Sequence, residues 1–84
     1  MGLPTAPITL APEQVAELNR RLSEMRHNVN NHLALFTSAG EILTLKPEAV
    51  SRVAPHLVER PMQITHEIRQ FSEEFERTLG ITKE

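Results

Sequence analysis

The chain has 84 residues, a formal net charge of −2, no cysteine, and three Phe as its only aromatic residues. That length allows one domain with a thin core, and the missing thiols exclude disulfides and thiolate metal sites. Near-neutral charge argues against nucleic acid as a main ligand, because phosphate binding needs a clear basic excess.

Residues 1–11 carry Pro4 and Pro7 and no helical period, so they read as a flexible N-terminal arm. Nothing there resembles a basic region followed by an apolar run, and no apolar run approaches membrane-spanning length. A cytoplasmic protein is expected.

Pro12 opens a helix at the position where a missing N–H costs nothing, and Glu13 follows where negative charge suits the helix dipole. Leu10 and Val15 stand at the spacing of a hydrophobic staple, although Ala11 is a poor cap. From there Val15, Leu18, Leu22, Met25, Val29, His32, Phe36, Ala39 and Leu43 recur at alternating steps of three and four. The rhythm predicts one helix from Pro12 to Leu43, roughly 45–50 Å long. Gly40 weakens its last turn without ending it.

The start signal then recurs: Thr9-Leu10-Ala11-Pro12-Glu13-Gln14-Val15 is echoed by Thr44-Leu45-Lys46-Pro47-Glu48-Ala49-Val50. Leu45 and Val50 repeat the staple. The link around Thr44 to Lys46 is short, which makes the two helices antiparallel neighbours. The second helix is expected from Pro47 to Leu79, with Val50, Val53, Leu57, Ile64, Ile68, Phe71, Phe75 and Leu79 as its stripe. Pro55 and Pro61 each remove a backbone hydrogen bond, so a kink is expected there; a break near Arg60 into three helices is the alternative. Gly80 is a stop signal, and residues 80–84 should fray. The fold class is therefore all-α: residues 12–79 form an antiparallel helical hairpin, kinked at proline in its second helix. Two hairpins side by side would cover the remaining apolar edge, giving a homodimer and a four-helix bundle.

The chemistry centres on Arg26-His27-Asn28-Val29-Asn30-Asn31-His32-Leu33. In the heptad His27 falls opposite the seam, facing water. Asn30 and Asn31 lie three and four residues on, and Ala34 and Ser38 continue a small, polar strip. Asn is a weak helix former, so three in four positions is a local cost that surface filler does not require. The competing reading is an ordinary exposed helical histidine. His32, at an inward position, is expected to be hydrogen-bonded within the bundle. His56 and His66 have no partner at ligand spacing, so no metal or cofactor is expected. The charged run from Glu67 to Arg77 reads as a solvated face.

This stretch resembles the H-box of two-component signalling proteins, in the Arg-His-Asp-x-x-Asn-x-Leu form of citrate-type sensor kinases and sporulation phosphotransferases. The resemblance implies a dimerisation and histidine-phosphotransfer domain whose motif sits midway along the first helix of a dimeric hairpin. It implies His27 as phospho-acceptor, Asn31 as the residue positioning water or phosphoryl group, and Arg26 as the offset for phosphate charge. Asn30, Ala34 and Ser38 would line the docking strip. The implied partner is a response-regulator receiver domain, or a kinase ATP-binding domain in trans. The chain departs from the family at Asn28, where an acidic residue is usual: an amide can hydrogen-bond an imidazole but cannot take its proton. No glycine-rich nucleotide loop is present, so the chain cannot be a complete kinase. A dimerisation or adaptor module without chemistry is the second expectation.

Overall fold

The computed structural model describes residues 3–81 and is a two-helix hairpin. Residues 3–11 have no regular secondary structure and are exposed apart from the half-buried Leu10. Helix α1 then runs unbroken over Pro12–Leu45. Ala11 offers no side-chain cap, but its N–H donates to Gln14 Oε1 at 2.8 Å, which replaces half of a capping box. Lys46 ends the helix with φ −138° and ψ 79°. Lys46 has thus left the α region, which is disfavoured for a residue that precedes proline.

The second helix begins later than expected. Pro47–Ala49 form a single 3-10 turn, closed by the Ala49 N–H on the Lys46 carbonyl at 2.9 Å, and α2 spans Val50–Leu79. Leu45 is 81% exposed, so the second staple is not made. Pro55 and Pro61 both lie inside one continuous helix, so the three-helix alternative is not the one adopted. Gly80 stops α2 at φ 70°, a conformation that favours glycine, and the Ile81 N–H returns to the Glu76 carbonyl at 2.8 Å. Residues 82–84, part of the segment expected to fray, lie outside the described residues.

The helices pack lengthwise into a plank of 58 × 28 × 13 Å. On α1 the inward residues are Leu18, Leu22, Met25, Val29, His32, Ala39 and Leu43, seven of the nine heptad positions; Val15 and Phe36, expected in the seam, are exposed. On α2 they are Val53, Leu57, Arg60, Ile64, Glu67, Phe71, Glu74 and Thr78, again at alternating steps of four and three. The expected α2 stripe is therefore rotated: Val50, Ile68 and Phe75 fall outside the seam and remain exposed. Among the described residues, Ala39, Ala49 and Val53 alone form a buried apolar core, with Leu43 and Leu57 packed against it at the loop end.

Candidate functional site

His27 sits on the outer edge of α1, away from α2, and is exposed. Its position follows from helical geometry: Val29 and Met25 flank it in sequence and turn inward, which carries residue 27 outward. Asn31, one turn on, approaches with its Nδ2 3.3 Å from His27 Nε2. An amide nitrogen can only donate, so this contact leaves the Nε2 lone pair as acceptor and the ring proton on Nδ1. Asn30, Ala34 and Ser38 are exposed along the same edge, and Arg26 is exposed beside the ring. The arrangement presents one imidazole nitrogen to solvent beside a rotatable amide, on a strip of small side chains that a partner can approach closely.

Asn28 does not belong to that cluster. It is half-buried, and its Nδ2 donates to Glu67 Oε2 of α2 at 3.2 Å. One residue step rotates a helix by about 100°, enough to send neighbours to different faces. The amide next to the imidazole in sequence is thus spent on the interhelical seam.

A second polar link lies one turn further along. Arg60 Nη1 approaches His32 Nδ1 at 3.3 Å and also donates to Gln63 Oε1 at 2.9 Å. A guanidinium can only donate, so His32 accepts through Nδ1. His32 is the inward, hydrogen-bonded histidine that its heptad position predicts. The Arg60 Nε is buried and has no acceptor, a cost that this link carries.

Glu67 and Arg60 were missed by sequence reasoning, which followed apolar residues alone on α2. The signal was available: carrying the four–three rhythm forward from Val53 lands on Arg60 and Glu67. Beside the Asn28–Glu67 bond runs a polar groove of about 350 Å³, with Arg21 and Glu24 on one wall and Gln70, Glu74 and Arg77 on the other. Its charges are largely engaged already, Glu24 with Arg20, Arg21 with Glu17, and Glu74 with Arg77. The Arg20 guanidinium beside Glu17 holds that carboxyl below the usual carboxylate range.

Among the described residues no group of three His, Cys, Asp or Glu is placed to hold a metal ion. No helix there is long and apolar enough to cross a membrane. Comparison with known proteins gave no match to a family model, a curated protein or a solved structure.

Proposed function

We propose that this hairpin is a two-component phosphotransfer domain of the dimeric histidine type, with His27 as the phosphoryl carrier. The observation that carries the reading is the exposed imidazole at mid-length of an unbroken 34-residue helix, with Asn31 bonded to its Nε2. Once the Asn31 amide turns away from Nε2, the freed lone pair attacks the phosphorus of an aspartyl phosphate on a receiver domain. A P–N bond forms as the P–O bond breaks, and the receiver's aspartate leaves as a carboxylate. Asn31 keeps Nε2 in the acceptor tautomer and can turn its amide to the transferred oxygens. Arg26 supplies positive charge beside them. A receiver docks along Asn30, Ala34 and Ser38, where no bulky side chain intervenes. A kinase ATP-binding domain supplied in trans is the alternative donor, and the acting form is a homodimer.

The test is to incubate the protein with phosphorylated receiver domains and, separately, with a kinase ATP-binding domain and ATP. Acid-labile phosphate on the chain, lost in His27→Ala, is the expected result. Label that survives His27→Ala, or no label from either donor, overturns the reading.

A second reading, a dimerisation module without chemistry, is favoured by Asn28. Its engagement with Glu67 leaves no hydrogen-bonding neighbour for the imidazole from the position the family fills with an acid. Under that reading His27→Ala changes neither partner binding nor any activity.

A further inference from the structure

Arg60 is a guanidinium held in the seam without a carboxylate. Its Nη1 donates to His32 Nδ1 at 3.3 Å and to Gln63 Oε1 at 2.9 Å, both neutral acceptors. Its Nε is buried without an acceptor, and none of the ion pairs among the described residues includes it. A guanidinium keeps its charge at any working pH, whereas an imidazole changes charge near neutrality. The contact therefore exists only while His32 is neutral. A protonated ring has no lone pair to offer and sets a second cation against the first.

Little else at this level answers that charge. On α1 the neighbours one turn from His32 are Asn28, Val29, Leu35 and Phe36, none of which titrates. On α2 the ionisable groups are Arg60 itself, His56 and Glu59, both exposed, and Glu67 two turns on, which is engaged by Asn28. The same stretch of α2 is weak on its own account. Pro55 and Pro61 bracket Arg60 inside the helix, and each lacks the N–H that would bond the carbonyl four residues back, at Ser51 and at Leu57. No residue of α2 between Val53 and Glu76 is buried, so burial does not hold this stretch either.

We propose that the His32–Arg60 contact is an acid-sensitive clasp over the proline-bearing section of α2. Uptake of one proton on His32 releases Arg60 and lets that section swing away from α1. The loop end stays closed, because Ala39, Ala49, Val53, Leu43 and Leu57 carry nothing that titrates. The closed hairpin holds the ring neutral, while the unfolded chain binds the proton freely. Stability from the clasp is therefore present above the histidine range and lost as pH falls through it.

The clasp does not use the His27 chemistry, and its test is blind to phosphate. Urea unfolding of the full chain at about pH 7.5 and about pH 5.5 compares the parent with His32→Asn, whose amide oxygen stands near the place of Nδ1 and accepts from Arg60 at either pH. On acidification the parent's unfolding constant should rise about tenfold more than the variant's, the limit for an imidazole of ordinary proton affinity that closes only when neutral. Arg60→Met keeps the ring and removes the cation, so its pH dependence should match that of His32→Asn. The other three histidines are exposed and common to every chain, so they cancel. Hydrogen exchange, corrected for its intrinsic pH dependence, locates the change: amides of residues 56–66 should open in acid in the parent alone, and those of residues 49–53 should not. Equal pH dependence in all three proteins overturns the proposal. So does dependence that persists in Arg60→Met, or opening that begins at the loop end.

Discussion

The loop end of the seam and its middle are built on opposite principles. At the loop end Ala39, Ala49 and Val53 are buried, with Leu43 and Leu57 closing over them. Halfway along, the same two helices meet through Asn28 with Glu67 and His32 with Arg60. Apolar contact is non-directional and tolerates sliding, whereas hydrogen-bonded pairs fit one register and leave buried groups unsatisfied in any other. The loop end therefore holds the most deeply buried apolar contact between the helices, and the polar pairs in the middle favour one alignment.

The contrast can be broken most severely at the loop end. Val53 is 3% exposed, and Val53→Asp places an unpaired carboxylate in the buried apolar core. A loss of about 3–5 kcal/mol is expected, enough to unfold most of a hairpin this small, read as collapse of the helical dichroism signal. In the middle, Asn28→Asp sets a carboxylate against Glu67 across 3.2 Å and should cost about 1–3 kcal/mol in urea unfolding. Glu67→Gln should recover most of that loss in the double variant, since an amide can again donate to the acid. Arg60→Met is expected to change stability by less than about 1 kcal/mol, because the orphaned Nε disappears together with the His32 contact. His27→Ala should leave the unfolding midpoint within about 0.5 kcal/mol of the parent while removing any acid-labile label, since the ring is exposed.

The smallest expected effect is in acid. The Arg20 hydrogen bond lowers the Glu17 carboxyl in the folded chain. A carboxylate depressed on folding adds stability above its unfolded value and loses it as pH falls through the folded one. Both side chains are solvent-exposed, so the loss should appear only as a slight fall in helix content below the ordinary carboxylate range. Glu17→Gln should remove that dependence.

Much of α1 was legible in its sequence, and the reason is visible residue by residue. Its inward positions are apolar apart from His32, so the step of three and four marks most of the seam, although Val15 and Phe36 at the same step stay exposed, and Pro12 marks the start. The outward place of His27 follows from the same count. On α2 the rule that apolar residues face inward failed. Arg60, Glu67 and Glu74 occupy seam positions because long side chains can lay their methylene stems along a partner helix and send their polar ends to its rim. Val50, Ile68 and Phe75 were then assigned to a contact they do not make. The exclusion of Asn28 from the His27 cluster was hidden for another reason. Proximity along the chain suggested one group, while the turn of the helix divides it. The late start of α2 at Val50 reflects a tight turn after Pro47, which the repeated Pro-Glu signal did not distinguish from the clean start at Pro12.

The imidazole lies on a narrow edge of the plank, on neither broad side. If two planks lie broad side to broad side, the edges that carry His27 point away from each other. Each ring could then be visited by its own client at the same moment, with no competition for space and no need for the pair to part. Saturation binding to such an assembly should reach one client per chain, and a ceiling of one per pair would require some coupling between the edges that a stacked arrangement does not itself provide.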